Sequence, residues 1–366
     1  MSTLRLVGRF GAALVAAIFF ANTAHAGDEA YATVPDQVHL EFPGDFGAHD
    51  AFRTEWWYVT GWLDDAGHPV GFQLTFFRTR LLIDPANTST FAPRQLYFAH
   101  AALSDPRLGK ILFAERAGRG GFGLAGAAAS DTDVSIMNWK LYRDASRNQL
   151  LAHAEDTDFG FDLMMTSPQA PLAEGDEGRS QKGPLKEDAS TYYSIPQLRV
   201  SGSITEHGAE RKVTGTAWLD HEWSTSYLDP DATGWDWLGA NLGDGSALMA
   251  FRMRRTDGST LYSTATRRSA DGSLKRFGMD QVSFKATQYW RSPRTGVQYP
   301  IAQRLTVGAS TFLLSPLMEN QEIEATQSTG TVYWEGAVRL SDEDTRKVLG
   351  TGYLELTGYG TPLRLQ

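Results

Sequence analysis

The sequence predicts an all-β protein whose antiparallel strands form two successive series. Most of the chain consists of short runs rich in β-branched and aromatic residues, such as TEWWYVTGWL at 54–63. These runs recur roughly every ten residues, and glycine, aspartate and asparagine occupy many of the positions between them. Regular spacing of short strands and turns is typical of an antiparallel barrel or sandwich.

The first series begins with a predicted hairpin. The strand at 54–63 is closed by the turn DDAG at 64–67, and VGFQLTFFR at 70–78 supplies its partner. Later runs of similar composition predict strands at 94–103, 111–116, 134–143, 150–154, 159–166, 191–201, 203–206 and 212–219.

Two stretches interrupt this first series. Residues 117–129 are rich in glycine and predict a mobile loop or a short lid. Residues 167–189 (SPQAPLAEGDEGRSQKGPLKEDA) are polar, rich in glycine and proline, and without periodicity. They predict a long loop, and a loop of this length inside a compact domain is more often functional than filler.

The second series follows the turn region YLDPDATG at 227–234. Its first hairpin is predicted from 235–242 and 246–255, which are joined by a Gly-Asp-Gly turn. Later strands are predicted at 259–267, 274–277, 282–291, 301–307, 330–340 and 350–357, and the best candidate for a helix or irregular connection is 313–324. The predicted domains are therefore 33–225 and 226–366.

The first 26 residues predict a secretory signal peptide. Arg5 and Arg9 precede the apolar run 12–21, and AHA at 24–26 fits an A-x-A cleavage site. We therefore expect a periplasmic or secreted protein without a membrane span after cleavage. Removal of the segment changes the formal charge from −9 to −11. An acidic chain is a poor partner for nucleic acid, and the absence of cysteine excludes disulfides and thiolate chemistry.

The densest group of chemically active residues lies in AWLDHEWS at 217–224. Alternate side chains of a strand point to opposite faces, so Trp218, Asp220 and Glu222 share one face and His221 lies on the other. Two carboxylates beside an indole fit an acid set against the aromatic wall of a cavity. They also fit a strand end where acidic residues meet solvent.

Several common enzyme signatures are missing. The chain has no G-x-S-x-G motif and no cysteine, which argues against the usual acyl-transfer enzymes. His221-Glu222 resembles the start of H-E-x-x-H, but Thr225 stands where the second histidine is required. The other histidines show no metal-ligand spacing. We therefore expect no metal site and no cofactor.

Carboxylates inside aromatic clusters indicate a different chemistry. Acidic residues occur beside aromatic residues at Glu55, Asp220, Glu222, Asp236 and Glu335. A buried carboxylic acid that keeps its proton can protonate an alkene, and the ring faces of tryptophan stabilise the resulting cation. Carboxylates with aromatic residues also suit sugar binding and glycoside cleavage. Composition does not separate these alternatives.

Five motifs, in order along the chain, resemble one known family. FRTEWWYVTGWL (52–63), YYSIPQLRVSG (192–202), WLDHEWS (218–224), YWEGAV (333–338) and GYLELTGY (352–359) look like the lipocalin-like AttH family, which includes the carotenoid 1,2-hydratases, or hydroxyneurosporene synthases. Loop residues also fit the family, namely Gly175, Gly178, Ser180, Lys182 and Gly183. The resemblance runs from residue 33 to the end and implies two lipocalin-like antiparallel β-barrel domains packed together.

The same resemblance implies a site. In the hydratase branch, the proposed proton donor is the aspartate of an aromatic-x-Asp-His-Asn segment, aided by a nearby tyrosine and tryptophan. Asp220 and His221 match this segment, whereas Trp218 takes the place of the usual tyrosine and Glu222 that of the asparagine. These departures resemble the exported branch of the family.

These observations predict a protein that binds an extended apolar ligand, isoprenoid-like or polyketide-like, and hydrates or remodels it by acid catalysis. Asp220 is the predicted acid, His221 its orienting or proton-exchanging partner, and Glu222 the group that activates water. The predicted substrate-binding residues are Trp57, Tyr193, Trp218, Trp223, Trp235 and Trp237. Two alternatives stay open: a non-catalytic carrier of an apolar ligand, and a protein that binds or cleaves carbohydrate.

Overall fold

The computed structural model describes residues 31–363 except 85 and 227. The predicted signal peptide, residues 1–26, lies outside this part of the chain. Within the described residues no helix is long and apolar enough to cross a membrane. Their only helical segments are two short 3-10 turns, Gly44–Phe46 and Met279–Gln281.

The first thirteen strands form one antiparallel sheet. They are β1 (Thr54–Asp65), β2 (His68–Arg80), β3 (Gln95–Asp105), β4 (Lys110–Arg119), β5 (Ala125–Ala127), β6 (Asp133–Ile136), β7 (Trp139–Asp144), β8 (Gln149–Glu155), β9 (Phe159–Thr166), β10 (Leu172–Ala173), β11 (Arg179–Gln181), β12 (Ala189–Glu206) and β13 (Ala209–Ser226). Their order is β4-β3-β2-β1-β13-β12-β9-β8-β7-β6-β5, and β10 and β11 also pair with β12. Because β4 approaches β6, the sheet forms a nearly closed barrel.

The remaining ten strands form a second antiparallel sheet. They are β14 (Ala232–Leu242), β15 (Ala247–Arg255), β16 (Thr260–Arg268), β17 (Leu274–Phe277), β18 (Val282–Arg291), β19 (Gln298–Val307), β20 (Ser310–Pro316), β21 (Glu322–Ala325), β22 (Thr331–Asp342) and β23 (Val348–Leu356). Their order is β17-β16-β15-β14-β23-β22-β20-β19-β18, with β21 paired to β22. The chain passes from one sheet to the other between Ser226 and Ala232.

Strand β1 shows how the two barrels pack. Trp57 and Val59 point into the first barrel, whereas Tyr58 and Trp62 point toward the second. Both faces are buried, which explains why the strand reads as a nearly continuous apolar run rather than an alternating one. Tyr58 packs edge-on against Trp237 of β14, with 5.2 Å between ring centroids. The predicted pair of packed lipocalin-like barrels is thus confirmed.

Two predictions of local structure hold only in part. Residues 313–324 hold no helix, because STFLLSP at 310–316 buries Phe312 and Leu314 with the two-residue period of a strand. The predicted irregular connection is confined to 317–321. Most of the glycine-rich stretch 117–129 belongs to β4 and β5 or to the tight turn between them, so it is not a lid.

The long loop at 167–189 is present but only partly solvated. Its short strands β10 and β11 pair with β12, and its polar residues Glu174, Lys182 and Asp188 are buried. A buried charged group needs partners, and Glu174 and Lys182 find theirs in Ser194 and Glu222.

Candidate functional site

The stretch 217–224 lies near the end of β13, which pairs with β1 on one side and β12 on the other. Its side chains alternate as predicted. Trp218 packs in the junction between the barrels, and Leu219 and Trp223 pack inside the first barrel. Asp220 therefore faces the junction, where it is 3% exposed.

Asp220 is a buried acid with two donors on one oxygen. Ser194 Oγ lies 2.6 Å from Asp220 Oδ1, and Trp218 Nε1 donates to the same oxygen at 2.6 Å. Burial raises the pKa of Asp220 to about 7, and these two hydrogen bonds only partly offset it. Asp220 thus keeps a large share of its proton at neutral pH, as a general acid requires.

Glu174, in the long loop, forms an acid pair with Asp220. Ser194 Oγ lies 3.0 Å from Glu174 Oε1 as well as 2.6 Å from Asp220 Oδ1. A hydroxyl carries one hydrogen, so it can donate to only one of these carboxyl groups, and the other contact requires a protonated carboxyl that donates to Ser194. Burial, together with the charge of Asp220, raises the pKa of Glu174 to about 8. The pair therefore holds at least one proton.

Glu222 is an ion-paired carboxylate in the same face. Lys182 Nζ lies 2.8 Å from its Oε1, which also accepts a hydrogen bond from Ser190. The ammonium of Lys182 sits 4.6 Å from the ring centroid of Tyr192 and 4.9 Å from that of Phe251. Oε1 of Glu222 is thus already occupied by an ammonium and a hydroxyl. The geometry therefore assigns Glu222 to holding Lys182 rather than to activating water.

His221 lies on the opposite side of β13 from Asp220, so the predicted partnership of these two residues is wrong. The strand alternation that places Asp220 in the junction turns the imidazole into the first barrel. There Tyr193 Oη lies 3.0 Å from His221 Nδ1, and His221 Nε2 lies 2.8 Å from Glu55 Oε1. One tautomer satisfies both contacts: Tyr193 donates to Nδ1, and Nε2 donates to Glu55.

His49, Glu55 and His221 have ligand atoms within 4.8 Å of one another, a donor set of the kind that binds transition metals. Each donor atom already has a protein partner. Glu55 also binds Arg78 Nε at 2.8 Å, and His49 Nε2 lies 3.0 Å from Asp45 Oδ1. We assign this network to anchoring the segment that precedes β1, because it joins His49 of that segment to three strands of the barrel.

The predicted aromatic residues separate into two groups. Trp57, Trp223 and Tyr193 surround His221 inside the first barrel, with Trp57 stacked on His221 at 4.7 Å between ring centroids. The indole rings of Trp218 and Trp237 meet in the junction, with 6.3 Å between their centroids and an interplanar angle of 74°.

Gly239 is required where the two junction indoles meet. A Cβ at this position would lie 2.4 Å from Trp237 and 3.0 Å from Trp218. Only the absence of a side chain lets both rings lie against the strand. The backbone of β14 thereby fixes the aromatic wall beside Asp220.

Trp235, the last of the predicted aromatic residues, is half-buried at the junction. Its Nε1 donates to Glu355 Oε2 at 2.7 Å. Glu355 lies deep in the protein but keeps part of its surface accessible, which is the position of a group that lines a recess. Burial raises its pKa to about 7.

An open pocket of about 430 Å³ lies elsewhere, beside the loop at 87–94 and the strand residues Gln95 and Tyr97. Its described lining includes none of the predicted site residues. The junction and not this pocket therefore holds the acidic and aromatic groups.

Sequence reasoning placed Asp220, Trp218 and Trp237 in the junction but missed Glu174, Ser194 and Lys182. The signals for these were indirect. Glu174 and Lys182 lie in the aperiodic loop that was predicted to be functional, and Ser194 lies in the motif YYSIPQLRVSG.

The fold and site define a class of paired-barrel proteins with a buried acid between the barrels. The chain belongs to the AttH-like family, whose match covers residues 33–359. A crystal structure from Nitrosomonas europaea described as AttH is 47% identical, with a TM-score of 0.84 over 90% of this chain and 99% of that one.

Other relatives are more distant. Kievitone hydratase of Fusarium solani subsp. phaseoli is 25% identical over 217 residues, which span 57% of this chain and 60% of that protein. The crystal structure of kievitone hydratase from Nectria haematococca has a TM-score of 0.67 at 16% identity, over 91% of this chain and 97% of that one. The crystal structure of CghA with Sch210972 has a TM-score of 0.52 at 13% identity. The match covers 91% of this chain and 97% of that one. The likeness to these two structures shows the shared fold, and the kievitone hydratase sequence match connects the family to hydratases.

Proposed function

We propose that the protein is a hydratase that adds water to an alkene of an extended apolar substrate, isoprenoid-like or polyketide-like, at the junction between the barrels. The observation that carries this proposal is the acid pair Glu174–Ser194–Asp220, whose geometry requires a proton, set beside Trp218 and Trp237. The sequence match to kievitone hydratase supports the class of reaction.

The acid step follows from the geometry. The O–H bond of Asp220 breaks as its proton forms a C–H bond with one alkene carbon, and the π electrons leave a cation on the neighbouring carbon. The indole faces of Trp218 and Trp237 stabilise that cation. Water then forms a C–O bond with the cation and loses a proton to a junction carboxylate. Glu174 reprotonates Asp220 through the hydroxyl of Ser194, and the proton taken from water replaces the one that Glu174 has given up.

The test uses purified protein with three alkenes: a phenol carrying a dimethylallyl chain, neurosporene and kievitone. We expect a product heavier by one water from at least one of them, detected by mass spectrometry. Asp220→Asn should lower the rate by about 10²-fold to 10⁴-fold, the usual contribution of a general acid. Asp162→Asn changes an exposed aspartate of β9 and serves as the matched control. Full activity of Asp220→Asn would exclude Asp220 as the acid.

A carrier without chemistry is the second candidate. The aromatic wall of Trp218 and Trp237 favours it, because indole faces bind an apolar molecule whether or not it reacts. Mass spectrometry of the purified protein separates the two functions. A co-purifying apolar molecule that incubation leaves unchanged, without product from any of the three alkenes, would support the carrier.

Export is also proposed, on the basis of residues 1–26. Cell fractionation of the full-length chain should find the protein outside the cytoplasm with an N-terminus near Gly27. Deletion of residues 2–26 should retain it in the cytoplasm.

A further inference from the structure

Two glutamates face each other across strands β22 and β23 of the second barrel. Glu335 and Glu355 are directly opposed in the antiparallel register. Their neighbours Trp334 and Leu354 point into the second barrel, so both carboxyl groups point outward to the junction. Like charges placed directly opposite each other in a sheet are destabilising unless one is neutral.

Neither glutamate has a cationic partner among the described residues. Glu335 is 1% exposed, and its Oε1 lacks a hydrogen-bond partner there. Glu355 accepts a hydrogen bond from the indole N–H of Trp235. Two facing carboxyl groups without a cationic partner repel each other when both are ionised, so this arrangement favours a proton on at least one of them.

The facing surface of the first barrel offers polar atoms to the same space. Tyr58 Oη and Thr60 Oγ1 of β1 and Gln73 Oε1 of β2 are buried without a protein partner. The phenol of Tyr58 is directed at Glu335 but does not reach hydrogen-bond geometry. Each such atom left unsatisfied would cost about 1–3 kcal/mol. These groups are therefore suited to bind a small polar species such as water or a substrate hydroxyl.

A short path of contacts joins this pair to the acid. Glu355 is the cross-strand partner of Trp237, and Trp237 packs against Trp218, whose indole N–H donates to Asp220. The negative charges of Asp220 and Glu222 also act on Glu355 and raise its pKa. Asp220 and the Glu335–Glu355 pair thus lie on two sides of the aromatic wall that Trp218 and Trp237 form.

We propose that Glu335 and Glu355 form a second catalytic centre, a pair of facing carboxyl groups that takes the proton from the attacking water. This inference rests on the proposed hydration. Water forms the C–O bond with the cation, and its O–H proton passes to the ionised carboxylate of the pair. Asp220 has then lost one proton and the pair has gained one, so the reaction is balanced and a proton must return to Asp220 before the next turnover. The substrate class is an alkene whose hydration gives an alcohol within reach of β22 and β23.

The experiment runs the same three alkenes in D₂O with wild type, Asp220→Asn, Glu355→Gln and Glu335→Gln. Glu355→Gln should lose hydration by about 10²-fold or more, yet continue to exchange deuterium into the alkene, because protonation by Asp220 survives. Asp220→Asn should lose both hydration and deuterium exchange. Glu324→Gln, a half-buried glutamate of β21 paired with Arg294, is the matched control and should keep wild-type rates.

The results distinguish the two proposals. Wild-type hydration rates in both Glu355→Gln and Glu335→Gln would overturn the second centre and leave Asp220 catalysis standing. Absence of both exchange and hydration in the wild type would overturn the proposed function and, with it, the catalytic role of the pair. Infrared spectra at neutral pH, recorded without substrate, test whether this carboxyl pair holds a proton. We expect a protonated-carboxyl band that is weakened in Glu335→Gln and unchanged in Glu324→Gln, and equal bands in all three proteins would contradict the pair.

Discussion

At the scale of residues, one hydroxyl determines the protonation of the site. Ser194 lies between Asp220 and Glu174 and has one hydrogen for two carboxyl groups. Asp220 was predictable from its motif. Glu174 was not, because 46 positions separate it from Asp220 and only the fold of the loop brings them together. His221 shows the opposite error: adjacency in sequence suggested a partnership that strand alternation prevents.

The first prediction concerns the pH dependence of activity. Asp220 acts as an acid only while it carries its proton, and burial raises its pKa to about 7. The value of kcat/KM should therefore fall about tenfold per unit above this pH, and it should also fall at lower pH as Glu355, whose pKa burial raises to about 7, takes up a proton. A pH–rate profile checks this. A level profile up to pH 9 would show that no acid of this pKa takes part.

The second prediction concerns stability and pH. The pKa of Glu174 is about 8 in the folded chain, against about 4.3 for an unfolded glutamate. The folded state binds more protons between these values, so the free energy of unfolding should fall as pH rises through this window, by at most about 1.4 kcal/mol per unit for this group. Urea unfolding at pH 5 and pH 8 should show a smaller loss in Glu174→Gln. An equal loss in both proteins would place the shifted group elsewhere.

At the scale of elements, the long loop and strand β1 explain why the site was only partly predictable. Lack of periodicity identified residues 167–189 as a loop but not that β10 and β11 attach it to β12. Composition identified β1 as a strand. Its second buried face became clear only when the second barrel was seen to cover it, because single-strand patterns do not reveal which element covers a face.

The third prediction tests the turn that positions Glu174. Gly175 has a φ of 64°, and a Cβ there would lie 2.3 Å from the carbonyl oxygen of Arg179. Gly175→Ala should lower the free energy of unfolding by about 1–3 kcal/mol and reduce activity by misplacing Glu174. Gly126→Ala is the control, since its Cβ meets nothing within 4 Å and its φ is ordinary. Equal unfolding curves for both variants would contradict the role of this turn.

At the scale of the whole molecule, function depends on two barrels that meet in a fixed orientation. The acid pair belongs to the first barrel, and Trp237, Glu335 and Glu355 belong to the second. The division into two barrels was predicted from strand spacing and from the family resemblance. The approach of the two carboxyl pairs to one aromatic wall was not, because it depends on how two separate sheets dock.

The fourth prediction tests this docking. Asn241 of β14 donates from Nδ2 to the carbonyl of Ala217 at 2.9 Å, and its Oδ1 accepts from the backbone N–H of Gln197 at 2.7 Å. Asn241→Ala removes both bridges and should cost about 2–4 kcal/mol. Denaturant unfolding measures the loss, and Asn138→Ala, at an exposed position in the turn between β6 and β7, serves as the control. An unchanged midpoint for Asn241→Ala would show that these bonds do not hold the junction.

The proposed hydration requires that Asp220 retains its proton near neutral pH. Carbon NMR of protein labelled at the aspartate carboxyl groups measures this without substrate. We expect one carboxyl resonance that titrates near the pKa of about 7 and is missing from the spectrum of Asp220→Asn. If the resonance that is lost in Asp220→Asn titrates near the ordinary aspartate pKa of about 3.9, Asp220 is not the acid of this site.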